Sequence, residues 1–136
     1  MKTRLSTFAD VPEIMIIIED AKTYLASQNI DQWQKGYPNT DQVKSDIKNG
    51  ESYVVVSDDR VIMATSMFTI NKEPTYKVIA GNWLVDENDI YGVVHRMAIK
   101  KEFRTFGLAT FMFHEFHIQL LEKKIKSLKI DTHEEN

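Results

Sequence analysis

One stretch limits the fold more than any other: YGVVHRMAIKKEFRTFGLATFMFHEFHIQLLEKKIKSLKIDTH, beginning at Tyr91. Tyr91 to Ile99 reads as a strand, rich in β-branched and apolar residues. A basic segment with one glycine follows. From Gly107 to about Lys124 the apolar residues recur as in a helix, and SLKIDTH reads as a closing strand. Strand, helix and strand in that order imply a parallel pair joined by a right-handed crossover.

Upstream, KTRLSTF suits a short first strand. ADVPEI then opens a helix, with Asp10 expected as N-cap and Pro12 and Glu13 in the first turn. Ile14, Ile17, Ile18, Ala21 and Leu25 form its apolar stripe, from Val11 to about Ser27. NIDQWQKGYPNTDQ reads as a loop that sets Trp33 and Tyr37 among polar residues. Thr40 or Asp41 is expected to cap a second helix, ended by Gly50. SYVVVSDDRVIMATSMFTI is a hairpin about Ser57 to Arg60. From Asn71 to Asn88 the pattern is less regular; YKVIAGNWL suggests a short strand, but Pro74 and Gly81 interrupt it. The antiparallel hairpin and the parallel pair together predict an α+β (mixed α/β) domain, residues 1–136, with helices on the faces of a mixed sheet.

Composition removes several classes of function. The chain has 136 residues, 43% apolar and 27% charged, a globular balance. A net charge of −3 and a pI near 5.8 argue against a nucleic-acid surface. The absence of cysteine excludes disulfides, thiolate metal sites and thiol catalysis. No apolar run approaches a membrane span, and the start carries no signal-peptide core. A cytoplasmic protein without nucleic-acid or membrane partners is expected.

Within the first stretch, RTFGLA stands where a strand gives way to a helix. A helix start leaves backbone N–H groups unpartnered and carries positive potential, which together favour an anion. Gly107 has no Cβ to block a bulky anion, and Ala109 is small where the first turn is crowded. Arg104 adds a charge-assisted donor for phosphate oxygens, while Lys100 and Lys101 raise the local potential. RTFGLA is thereby predicted to cradle a diphosphate.

VVHRMAIKKEFRTFGLATFMF resembles the acetyl-CoA-binding motif of the GNAT superfamily of N-acetyltransferases, Q/R-x-x-G-x-G/A between a central strand and a helix, here Arg104, Gly107 and Ala109. The element order of nearly the whole chain fits the same family. The resemblance implies a GNAT-like central sheet and acetyl-CoA as acyl donor. It implies backbone contacts from Met97, Ala98 and Ile99 to the pantetheine arm. Diphosphate contacts would come from Arg104, Thr105, Phe106, Gly107, Leu108, Ala109 and Thr110. Asn136 corresponds to an asparagine that often touches the cofactor in that family.

Family chemistry is direct attack of an amine on the thioester. It requires a neutral amine, a backbone N–H for the oxyanion and a group to take the amine proton. His95 is the imidazole on the central strand and the candidate for that role; its alternative is a structural hydrogen bond. Plain alternation puts Val93, His95, Met97 and Ile99 on one face, unless a bulge intervenes. Arg96, on the other face, reads as a structural cation. Trp33 and Tyr37 either wall the acceptor site or cover the core edge, and Asp31 and Glu19 are candidates to attract its cation. His114 and His117 lie three apart on the long helix without a third ligand, so no metal is expected.

In similar proteins a further helix and two strands usually follow the strand at which this chain stops, KIDTHEEN. The helix there usually carries a tyrosine that protonates the departing thiolate. The resemblance thus leaves open a fragment, a shortened protein, or a homodimer that covers the final strand. The expected function is acetyl transfer from acetyl-CoA to a primary amine of a small molecule or protein. The alternative is a shortened CoA-binding or dimerisation module without efficient transfer.

Overall fold

The computed structural model of the chain describes residues 1–30, 33, 36–71, 75–79, 82–86 and 90–130. Strand β1 (Lys2–Leu5) leads through a 3-10 turn (Phe8–Asp10) into helix α1 (Val11–Ser27). Val11, Ile14, Ile17 and Ile18 are its buried residues, the spacing that turns one helical face to a core. Asp10 does not cap α1 with its side chain. Its carboxylate accepts from the Thr7 N–H (2.7 Å) and from Arg4 Nη1 and Nη2 (2.8 and 3.1 Å), tying the first strand to the helix start. Helix α2 (Thr40–Lys48) is capped by Asn39, whose Oδ1 accepts from the Gln42 N–H at 2.9 Å. The cap thus falls one residue before Thr40, because Thr40 and Asp41 already lie within the helix. Gly50, with φ +69°, closes α2 as expected.

Strands β2 (Ser52–Val56) and β3 (Ile62–Asn71) form the anticipated hairpin. Among the described residues between Asn71 and Ile90 are two strands, β4 (Thr75–Ile79) and β5 (Asn82–Asp86), paired antiparallel in a sheet of their own. The interrupted pattern expected there is therefore a short hairpin. Strand β6 (Tyr91–Ile99), helix α3 (Leu108–Glu122) and strand β7 (Ser127–Ile130) complete the chain's described elements. The main sheet runs β1-β2-β3-β6-β7, antiparallel except for the parallel β6–β7 pair.

The sheet is covered on both faces. On one, Val55, Ala64, Phe68 and Val94 pack with Leu108, Met112, Phe116 and Leu120 of α3. Phe68 and Phe116 stack with centroids 4.4 Å apart. Gly92 allows this close approach: a Cβ there would lie 2.7 Å from Leu120 Cδ1 and 3.0 Å from Phe68 Cε1. On the other face, Val54, Val56, Ile62 and Ala98 pack against α1 and against Val43 of α2.

Val94 and Ala98 should share a face by simple alternation, yet they lie in opposite cores. The cause is a bulge in β6. Thr65 pairs with Ala98 while Met67 pairs with His95, so β6 carries one residue more than β3 across that interval. Arg96 takes up the excess with a left-handed backbone, φ +53°. The single face expected for Val93, His95, Met97 and Ile99 is broken there: Met97 and Ile99 pack with Val94 on the α3 side.

Candidate functional site

The parallel pairing of β6 with β7 runs from Tyr91↔Ser127 to Val94↔Ile130. Beyond Val94, no strand among the described residues pairs with that side of β6. A cavity of about 350 Å³ lies along the next part of β6, lined by His95 to Ile99. Phe113 of α3 and Ile130 of β7 border it from one side. Tyr24 and Leu25 of α1, with Trp33, border it from the other. The lining is mostly apolar, with a strand's main chain along one wall. Such a trough suits an extended chain that pairs with a strand edge.

Arg104 also lines this cavity, and the start of α3 follows it. Leu108 is fully buried and anchors the first turn. The first helical bond is made by the Phe111 N–H to Gly107 O at 3.0 Å, so the amides of Leu108, Ala109 and Thr110 precede it. Gly107 has φ +70°, and the space its missing Cβ would occupy is open, with no atom within 4 Å. A residue with a side chain would be strained there and would also project into that space. Arg104 holds its guanidinium over the Tyr24 ring, 4.8 Å from the centroid, a cation–π contact. Thr105 and Phe106 are exposed; the Phe106 ring, 60% accessible, stands edge-on to Phe103. Lys100 pairs with Glu102 at 3.7 Å. Together these residues fit a ligand with an anionic head and an elongated tail.

A charged cluster borders the bulge. Arg96 Nε and Nη2 donate to Asp46 Oδ2 and Oδ1 at 2.8 and 2.7 Å, and Nη1 donates to Tyr37 Oη at 2.7 Å. Burial pulls the Arg96 pKa down, but its bonds to Asp46 and Tyr37 outweigh that and leave it raised. Arg96 is thus a paired cation that joins α2 to β6, in keeping with its structural reading.

The other expected positions divide. Trp33 lines the trough and also a second cavity of about 560 Å³ between α1 and the segment leading to α2. Glu19 lines the second cavity, not the trough, and pairs with Lys22 at 3.0 Å. Tyr37 faces Arg96, and Asp31 and Asn136 lie outside the described residues. His95 is partly buried along the trough. His114 and His117 are exposed on α3, and among the described residues no three metal-ligating side chains converge.

Sequence reading missed Tyr24, Phe113 and Asp46. Tyr24 sits one turn beyond Ala21, at the end of the α1 stripe, and that spacing is a usable signal. Phe113 is hidden in a run of aromatics. Asp46 lies three residues after the buried Val43, which places it on the inward side of α2.

The mixed sheet, with an open helix start following its parallel-paired strand, has the architecture of a solved acetyltransferase. Among solved structures, a GNAT-family acetyltransferase from Streptococcus agalactiae is 32% identical, over 99% of this chain and 77% of that one, with a TM-score of 0.70. The chain belongs to the GNAT family of acetyltransferases. A GNAT-family acetyltransferase from Listeria monocytogenes shares the fold at 16% identity, with a TM-score of 0.72 over 99% of this chain and 78% of that one. So does a predicted acetyltransferase with acetyl-CoA from Clostridium acetobutylicum, at 16% identity and a TM-score of 0.61, over 98% and 81% of the two chains. No protein-family model and no curated protein matches the sequence. Family membership supports acyl transfer in general terms. No helix among the described residues is long and apolar enough to cross a membrane.

Proposed function

We propose that this chain is an N-acetyltransferase that takes acetyl-CoA as donor and a primary amine, of a small molecule or a protein, as acceptor. The observation that carries this reading is the open space at left-handed Gly107, set at a helix start beside the trough along His95 to Ile99. When bound, acetyl-CoA supplies an acetyl group activated as a thioester. The amides of Gly107 to Thr110 hold the diphosphate, with Arg104 as the charged partner and Thr105 and Phe106 alongside. Met97, Ala98 and Ile99 offer main-chain groups to the pantetheine arm, and a β6 N–H stabilises negative charge on the reacting oxygen. The apolar walls keep water from the reacting carbon.

The acceptor approaches from the α1 side, past Trp33, and attacks as the neutral amine. As the new C–N bond forms and the thioester C–S bond breaks, His95, the imidazole of β6 that lines the trough, accepts the amine proton, and a proton returns to the departing thiolate to give the free thiol. Glu19 attracts the cationic acceptor from the second cavity. The test is calorimetric titration with CoA, followed by turnover of acetyl-CoA with a panel of amines. Gly107→Val should remain folded by circular dichroism and lose CoA affinity by about tenfold or more, since it combines strain with obstruction. Wild-type affinity in the folded variant would sink the diphosphate cradle. Tight CoA binding without transfer to any amine would leave a CoA-binding module instead.

A further inference from the structure

Arg96 is the one β6 residue with a positive φ, and its bulge decides which way every later side chain of the strand points. An arginine holds that conformation only where its surroundings fix it. Here they do so from two other segments. The carboxylate of Asp46, on α2, accepts from two donors on one edge of the guanidinium at 2.8 and 2.7 Å, and Tyr37, before α2, meets a third donor at 2.7 Å. Gln42 Nε2 adds a bond to Asp46 Oδ1 at 3.2 Å. The ion pair is almost wholly enclosed, its side chains 11% and 9% accessible. Apolar residues of similar size often replace such a buried pair without loss of stability, so stability alone does not account for it. A two-pronged contact fixes orientation as well as distance, and what it orients is the start of the segment from Met97 to Ile99.

We propose that Asp46 and Tyr37 act through Arg96 as positioning residues, holding the β6 bulge in the form that presents Met97 to Ile99 to the trough. The proposal rests on the donor reading above. Tyr37 also ties the segment that follows Trp33 to the same strand. The clamp therefore couples the acceptor side of the site to the donor side. Neither Asp46 nor Tyr37 lines the trough, whereas Arg96 does, so their influence on a ligand there passes through Arg96 and its strand.

The test compares wild type, Asp46→Asn and Tyr37→Phe, well below their melting temperatures. CoA and ADP are titrated separately, since ADP carries the diphosphate without the pantetheine arm. Amide hydrogen exchange is read without ligand. Asp46→Asn should weaken CoA binding about tenfold and leave ADP binding unchanged. Exchange at Met97 to Ile99 should quicken while the α3 core keeps its protection. Tyr37→Phe should act in the same direction more weakly, and it decides the matter if Asp46→Asn fails to fold. Equal losses for CoA and ADP, or β6 protection as in wild type, would overturn the proposal. If wild type binds no CoA, the donor reading fails and exchange alone judges the clamp. Loss confined to β6 then supports it, and uniform loss or none overturns it.

Discussion

At the scale of single residues, the two arginines of the site differ in what holds them. Arg96 is fixed by a carboxylate, whereas Arg104 rests on the Tyr24 ring at 4.8 Å. A cation over a partly exposed ring gains about 0.5–1 kcal/mol. Tyr24→Ala should therefore lower CoA affinity by about two- to fivefold, whereas Tyr24→Phe should stay near wild type, as titration calorimetry would read. An equal effect from both would mean that the hydroxyl, and not the ring, matters. Gly107 and Arg104 were legible in the sequence because a glycine between a basic loop and a helix is a local sign. Asp46 was not. In TDQVKSDIK it looks like any acid on a polar helix, and its partner lies 50 residues further on.

At the scale of elements, the contact of α3 with β6 is the tightest joint to test. Leu120 is fully buried, and its Cδ1 sits 2.7 Å from where a Gly92 Cβ would be. Gly92→Ala should cost about 1–3 kcal/mol, the usual range for overpacking a filled core. The denaturation midpoint should fall without a change of slope. A midpoint equal to wild type would mean that Leu120 yields freely. Helices α1 and α3 were readable because an apolar stripe or run records burial directly. The β4–β5 hairpin was less so: its strands are five residues each, and Pro74 and Gly81 carry turn chemistry between short runs. The bulge left no mark, because the residue that takes the left-handed conformation is an arginine where glycine would have signalled it.

At the scale of the whole molecule, the edge strand β1 is fastened to the start of α1 by Arg4 and Asp10. The Arg4 bonds hold the Asp10 carboxyl below the ordinary carboxylate range, against burial, which pushes it up; the Thr7 N–H assists Arg4. The unfolded chain protonates this group near its ordinary value of about 4, and the folded chain resists until lower pH. Its contribution is complete above that value and disappears as pH falls through the folded one. Urea midpoints of wild type and Asp10→Asn should differ at about pH 5 and converge as the pH is lowered through the depressed folded value. A gap that stays constant would remove the carboxylate from the acid limb. The domain's order of elements was legible because each connection carries its own constraint, above all the crossover through α3.

The trough along His95 to Ile99 has a further consequence. A strand flank recognises the repeat of amides in whatever lies beside it and is blind to substituents pointing away. An analogue whose tail keeps its length but has esters in place of those amides should still thread the trough and yet be held poorly. Evolution could recolour the side chains there while the grip endured, provided that proline never entered.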